Sequence, residues 1–570
     1  MKPFTITKPY LLSQKYILAV YTTIILISAA ISILSPFIIG DFLDTLIAGA
    51  DIRVILYFCA TFASINLLRI ATGYITAIMY VKMQIKMNYN FNRDVIEHMQ
   101  GLSLSYINKN DSAYLSQRVN QDTGSLVTFC VSVLQNVVIN VVMFAVPFVV
   151  LLTMHSLMAL LMMSFVVLYA ILYIAFMKPL YKAGFAFKEA QAKFFSRLME
   201  QLKHVKLIKI DSVQKKMIKR ADEGYDTARS AAIGSQSINY FYSSMDGTIS
   251  TIAQIALFVI GGIQILAGNF TIGMFTIFIS YFNMMLGASK YFFGLGASYQ
   301  QTLVSYNRIK EILARTKENN GEKKINTVDI IKLRNINFTY DPNSENKSSD
   351  AVINFSANFQ KGKIYAITGA NGIGKSTIIN LMIGMYIDEY EGSITYNNTD
   401  IRQIDMVDVR KRLFGFSEQE PLLISDSIRY NLGLGGVISE PSTANANKDR
   451  HHLLSATLSE YVDILNMQDF IDKNSLDFEI NENSSNISGG EKQKISILKV
   501  LHKNPTVMIF DEPTSALDAD TAEKFINHLK KVRKNKIIII ITHDEIITKK
   551  CDEIVGIGGC NLAHKILYNE

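Results

Sequence analysis

The chain has 570 residues, of which 49% are hydrophobic, and its mean hydropathy is +0.18. That length exceeds one compact domain and that apolar load exceeds the usual soluble chain, which excludes a wholly soluble single-domain protein. The formal net charge of +7 would suit a nucleic-acid partner, but much of the basic charge flanks apolar spans and needs no nucleic acid to explain it.

The N-terminal stretch MKPFTITKPYLLSQKY has no small-residue cleavage site after its first apolar run. That run reads as a retained helix, not a signal peptide. The fifteen residues before Tyr16 leave no room for a peptidase domain, so none is expected. A membrane span needs roughly 20 apolar residues. Six stretches qualify, at 16–40, 54–81, 126–154, 157–180, 239–267 and 272–297. Runs such as VVINVVMFAVPFVVLLTM, free of charge, exclude a soluble helical core. Four cysteines, Cys59, Cys130, Cys551 and Cys560, fall in no metal or redox spacing and are expected as free thiols.

Lys and Arg set the orientation. Twelve lie between Lys182 and Arg229. Lys82, Lys86, Arg93, Lys109 and Arg118 lie between the second and third spans, and Lys2, Lys8 and Lys15 precede the first. The opposite loops hold one, Arg53. Both termini and both long loops are therefore expected in the cytoplasm. The long loops are helix-patterned, with turnarounds at 108–117 and 206–215. Arg69, Asp246 and Lys290 are ionisable residues inside apolar spans. Helix rise puts them roughly 24, 33 and 27 Å inward from the outer ends, toward the cytoplasmic leaflet. They are expected to form a polar layer at the floor of a substrate cavity, with snorkelling or a structural pair as the alternative.

Residues 1–314 thus read as a transmembrane domain, 315–330 as a polar linker and 331–570 as a soluble domain. In the soluble domain the strand-like KIYAIT runs into GANGIGKS, which fits the phosphate-loop pattern in its strand–loop–helix setting. Gly369, Gly372 and Gly374 let backbone N–H groups turn toward phosphates, with Asn371 between them. Lys375 adds positive charge, and the Ser376 hydroxyl can ligate Mg²⁺. Thr377 opens a helix whose dipole favours an anion. TVMIFDEP is a buried strand ending in Asp511, which suits the Mg²⁺ shell, and Glu512, which suits a general base. KIIIIITHDE ends another strand at His543, placed for a γ-phosphate. NISGGEKQK puts Ser488, Gly489 and Gly490 at the mouth of a helix, a second anion site.

GANGIGKS, the glutamine of SEQEP, ISGGE, IFDEP, SALD and THD occur in that order, and the chain resembles the ABC transporters of the exporter type. LAGNFTIGMFTIFISY resembles their entry into the sixth span, and SYNRIKEIL their exit from it. The resemblance covers nearly the whole chain. It implies a multidomain membrane protein: an all-α six-helix transmembrane domain with long cytoplasmic extensions, plus an α/β P-loop NTPase cassette. It implies ATP and Mg²⁺, with Tyr340 stacking on adenine, Gln419 reaching the metal and the attacking water, Glu512 as base and His543 as switch. Ser488, Gly489, Gly490 and Glu491 would meet the partner's ATP, and Asp518 would end the loop that crosses to it. The turnarounds resemble coupling helices, the first docking on its own cassette and the second on the partner's. Glu491 departs from the usual Gln and puts negative charge where a γ-phosphate approaches. Its side chain either points away along the helix or weakens the closed state. The polar stretch 433–452 reads as a surface insertion, and its His451–His452 pair has no metal-ligand pattern around it.

The implied function is ATP-driven export of an amphipathic substrate by alternating access, from a bacterial cytoplasmic membrane. A homodimer is expected, with a heterodimer as the alternative. A bacteriocin-like or otherwise modified peptide is the expected substrate, and a drug or lipid the alternative. An exporter-fold importer or a regulated ATPase is the further alternative.

Overall fold

The computed structural model describes residues 2–109, 115–116, 118–340, 350–433, 456–515 and 517–557. The expected insertion beyond Gly433, the pair His451–His452 and Cys560 lie outside the described residues. The chain divides into two compact units, 1–100 with 112–315 and 101–111 with 316–570.

Up to residue 313 the helices are α1 (Pro3–Leu12), α2 (Lys15–Ile47), α3 (Ile52–Gln100), α4 (Leu104–Lys109), α5 (Thr123–Met154), α6 (Ser156–Lys203), α7 (Val205–Ile210), α8 (Gln214–Leu266) and α9 (Ile272–Leu313). All but α4 belong to the first unit. Among the described residues, six helices are long and apolar enough to cross a membrane: α2, α3, α5 with the turn before it, α6, α8 and α9. Of these α3, α6 and α8 have 49, 48 and 53 residues, so at ~1.5 Å per residue they far exceed a ~30 Å hydrocarbon core. Pro36, Pro147 and Pro179 lie inside helices. Neighbouring helices make such breaks tolerable within a bundle.

The first unit is tied at both ends by polar groups. At one end Asp44 of α2 accepts from Thr271 Oγ1 at 2.6 Å and from the Gly273 amide at 2.8 Å, which fixes it to the start of α9. Glycines permit this approach: a Cβ on Gly40 would lie 2.7 Å from the Gly273 carbonyl. At the other end the buried Asp122 accepts from Ser305 Oγ at 2.7 Å and lies 3.8 Å from the Arg308 guanidinium. Between them Tyr281 donates to the Ile33 carbonyl at 2.8 Å.

The second unit contains two sheets. β1 (Ile330–Thr339), β2 (Asp350–Gln360), β4 (Glu391–Tyr396) and β5 (Thr399–Asp400) form an antiparallel sheet in the order β2-β1-β4-β5. β3 (Ile364–Thr368), β6 (Phe414–Ser417), β7 (Val507–Asp511), β8 (Ile537–Ile541) and β9 (Glu553–Gly556) form a parallel sheet in the order β6-β7-β8-β3-β9. The three inner strands β3, β7 and β8 are continuous apolar runs, as burial on both faces demands. Helices α10 (Lys375–Met382), α11 (Met406–Arg412), α12 (Gly489–Lys503) and α13 (Ala519–Val532) belong to this unit. The polar stretch expected to be a linker runs along it. Glu318 N donates to the Gly101 carbonyl at 2.7 Å, Asn320 Nδ2 to Asp405 at 2.9 Å and Lys323 N to the Gln403 carbonyl at 3.0 Å.

Ile540 pairs with Phe510 on one side and Ala366 on the other, and it is fully buried. Ile540→Ala should cost the second unit about 2–5 kcal/mol, read as a lower Tm of the purified chain in detergent.

Candidate nucleotide site

The parallel register collects the sequence-predicted residues at one edge of the sheet. Four adjacent strands, β6, β7, β8 and β3, point the same way, so the loops after them meet. Gln419 follows β6, Asp511 ends β7 and Glu512 follows it, His543 follows β8, and Gly369–Lys375 follow β3. The carboxyl edge of such a sheet is where α/β proteins bind ligands.

The phosphate loop is built by backbone conformation. Gly372 and Gly374 have φ of +78° and +98°, which only glycine adopts without strain. Lys375 begins α10 and is 9% exposed. Its ammonium donates to the Gly369 carbonyl at 2.8 Å and the Ala370 carbonyl at 3.1 Å, and lies 2.8 Å from His543 Nε2. An ammonium only donates, so Nε2 is the acceptor and the ring proton is on Nδ1. Ser376 Oγ donates to Asp511 at 3.0 Å. Burial pushes the Asp511 carboxyl above the usual carboxylate range. The Ser376 hydrogen bond and the Lys375 charge pull it back, and Glu512 pushes it up. A hydroxyl, a carboxylate and inward-facing amides are hard donors that fit a Mg²⁺–phosphate pair.

Glu512 is held in a sparsely populated backbone conformation, with φ of +47°. Non-glycine residues rarely occupy this region, and such strain persists only where surroundings over-determine it. Three bonds do so here. The Glu512 amide donates to the Ile541 carbonyl at 2.9 Å. Its carbonyl accepts from Gln493 Nε2 at 2.7 Å and from Ser515 Oγ at 3.0 Å. The Glu512 carboxylate accepts from Gln419 Nε2 at 2.8 Å and lies 3.6 Å from His543 Nε2. Gln493 was not among the predicted site residues. Its signal is a polar residue at a buried position of α12.

Tyr340 follows β1, and its hydroxyl is 2.8 Å from Thr377 Oγ1. Its ring meets Phe338 and Tyr386 edge to face, at 5.0 and 5.9 Å, and the residue stays 41% exposed. Tyr386 also hydrogen-bonds the Asn108 side chain of α4, and Leu104 of α4 packs on the core beneath β1. Asn371 is exposed in the phosphate loop.

At the start of α12, Ser488 is the N-cap. Glu491 folds back over it: the carboxylate accepts from the Ser488 amide at 2.8 Å and the Ser488 hydroxyl at 2.7 Å. The Glu491 amide donates to Ser488 Oγ at 3.2 Å, which completes a capping box. A Cβ on Gly489 would meet nothing within 4 Å. Asp518 caps α13 and accepts from the Thr521 amide at 2.8 Å.

In the first unit, Asp246 of α8 and Lys290 of α9 are joined at 2.9 Å, and the Lys290 ammonium lies 5.3 Å from the Tyr169 ring centre. Arg69 is exposed on α3 and makes no ion pair among the described residues. The expected layer of three is therefore one pair and one separate cation.

A family profile described as ABC transporter transmembrane region matches residues 18–289, and one described as ABC transporter matches residues 352–515. The chain is similar to ABC transporter B family member 1 of Dictyostelium discoideum, 28% identical over 65% of this chain and 39% of the relative. It is similar to the ATP-dependent lipid A-core flippase of Haemophilus ducreyi, 24% identical over 97% of this chain and 93% of the relative. The chain thus spans about two fifths of the first relative and nearly all of the second. A solved bacterial Atm1-family ABC exporter with ATP bound shares the fold, with a TM-score of 0.79 at 19% identity over 96% of this chain and 94% of that one.

Glu491→Gln keeps an acceptor for the Ser488 amide but removes the negative charge. The Tm should stay within about 1 °C. The apparent KM for ATP should fall roughly threefold to tenfold, the effect of a charge contribution of ~1 kcal/mol. An ATP titration of hydrolysis measures it, and an unchanged KM means that the carboxylate swings clear of the nucleotide.

Proposed function

The chain belongs to the ABC transporter family, as a half-transporter of the exporter type with an ATP-hydrolysing domain in the same polypeptide, and on that premise we propose that a homodimer of it exports an amphipathic substrate across a bacterial cytoplasmic membrane. The observation that carries this reading is the complete set of hydrolytic groups at one sheet edge: Lys375, Ser376, Gln419, Asp511, Glu512 and His543. A regulated ATPase that had lost turnover would lack one of them.

Lys375 holds the β- and γ-phosphates, which displace His543 and the two loop carbonyls from its ammonium. The amides of the phosphate loop and the α10 N-terminus bind the same phosphates. Ser376, Gln419 and Asp511 would hold Mg²⁺, which when bound neutralises charge on the phosphates. Glu512 orients the attacking water and takes its proton. Its backbone strain, fixed by Gln493 and Ser515, keeps the carboxylate on the Gln419 side of the site. His543, freed from Lys375 and with its ring proton moved to Nε2, donates toward the γ-phosphate.

The homodimer rests on Ser488, Gly489 and Gly490. Nothing in its own domain needs Gly489 to be glycine, whereas a phosphate from a second copy approaching the α12 N-terminus would. Tyr340 stacks on adenine, and Asp518 ends the segment that crosses to the partner. The Asp246–Lys290 pair, with Tyr169 beside it, forms the polar part of the substrate cavity. Arg69 contributes to the cavity from α3.

Two finer readings divide the substrate. A peptide follows from the overall sequence resemblance. A lipid is favoured by the likeness, over 97% of this chain, to an ATP-dependent lipid A-core flippase. Inside-out vesicles separate them: uptake of a fluorescent amphipathic peptide supports the first, and ATP-dependent movement of a fluorescent lipid across the bilayer supports the second. Neither, with ATPase intact, rejects both.

Glu512→Gln should bind ATP yet lower hydrolysis by about 10²–10⁴-fold, and ATP should hold two copies together in light scattering. Loss of ATP binding instead would contradict the role given to Glu512. Lys290→Ala leaves Asp246 without its cation and should abolish stimulation of ATPase by the transported substrate while basal hydrolysis persists. Full stimulation in Lys290→Ala removes the pair from the cavity.

A further inference from the structure

The outer ends of α2, α3, α5 and α9 line an open pocket of about 530 Å³. That volume is in the range of small-molecule sites. Phe37, Tyr57 and Phe58 supply aromatic wall, and Met274 adds an adaptable side chain. Two acids, Asp41 and Asp44, also line it, and no Lys or Arg does.

The two acids are not equivalent. Both Asp44 oxygens are committed, one to the Thr271 hydroxyl and one to the Gly273 amide. Asp41 receives the Thr45 hydroxyl on its backbone carbonyl at 2.7 Å, and its carboxylate makes no hydrogen bond or ion pair among the described residues. Arg53, on the same outer end, is exposed and outside the lining. The pocket thus offers one solvent-exposed, uncommitted negative charge on a lining that also holds aromatic rings.

That combination is complementary to one chemistry. A carboxylate balances a cation, aromatic faces attract it, and the apolar wall accepts a hydrophobic body. An anionic head group meets charge of its own sign. A neutral polar one finds too few donors and acceptors. We infer that this outer cavity binds a monovalent organic cation with an apolar body, with Asp41 as its counter-ion and Phe37, Tyr57 and Phe58 as its aromatic wall. The site is defined by binding alone, so it does not rest on ATP hydrolysis or on the direction of transport. It is built from α2, α3, α5 and α9, whereas the Asp246–Lys290 pair joins α8 to α9.

The test is equilibrium binding of radiolabelled tetraphenylphosphonium to the full chain purified in detergent without nucleotide. Saturable binding is expected. Asp41→Asn and Phe58→Ala should each weaken it about tenfold, the scale of one such contact. Asp41→Glu should retain it, which separates loss of charge from loss of fold. Tetraphenylborate, of the same shape and opposite charge, should not displace the probe. No saturable binding, or equal displacement by tetraphenylborate, overturns the proposal. So does unchanged affinity in Asp41→Asn with loss in Asp246→Asn, which would place the cation at the inner pair.

Discussion

The nucleotide site depends on the parallel pairing of β6, β7, β8 and β3. Parallel strands in register bring their carboxyl ends to one line, so residues over a hundred positions apart arrive within hydrogen-bond reach. The register is specified by burial. β3, β7 and β8 are covered on both faces, and their Ile and Val side chains leave one way to stack. A slip of one residue in β7 would send Asp511 away from Ser376 and bring an apolar side chain to the metal position.

Within that frame the catalytic edge is held by hydrogen bonds that the reaction itself does not use. Gln493 reaches from α12 to the Glu512 carbonyl and so links that helix to the proposed base. Ser488 and Glu491 occupy each other at the head of the same helix. A phosphate arriving there competes with a carboxylate for the serine hydroxyl and the helix dipole. One helix therefore carries both a support for the proposed general base and an intramolecular competitor for the anion it is expected to meet.

The sequence made the local features legible and left the long-range ones hidden. The phosphate loop is contiguous, and its glycines and lysine announce a conformation that eight residues can specify. The acid after VMIF and the histidine after the Ile run are also local, because a buried strand fixes where its last residue points. Gln493 is different: its partner is nineteen positions away, and only packing of α12 against the sheet brings them together. The membrane half shows the same division. Helix length and apolarity mark each span, but facing is set by neighbours. So Asp246 and Lys290 meet while Arg69, at similar depth, stands apart. The clamp between Asp44 and the start of α9 needed two glycines, 233 residues apart in sequence, to come into contact, and neither glycine alone advertises it.

The placement of α4 bears on how the nucleotide is sensed. Although it lies in the chain between two membrane-unit helices, α4 belongs to the cassette unit. Its Asn108 bonds Tyr386, Tyr386 packs against Tyr340, and the Tyr340 hydroxyl meets Thr377 in the first turn after the phosphate loop. These are contiguous contacts between rigid groups, the kind of path along which two discrete arrangements can be linked. Adenine stacking on Tyr340 would constrain the ring that Tyr386 leans on, and so the residue that α4 holds. These contacts limit where coupling could enter: a signal between nucleotide base and α4 has a route of three side chains, while a γ-phosphate would act through Gln419 and Glu512, which follow β6 and β7. The two ends of the nucleotide thus address different parts of the same unit, and loss of one contact need not silence the other.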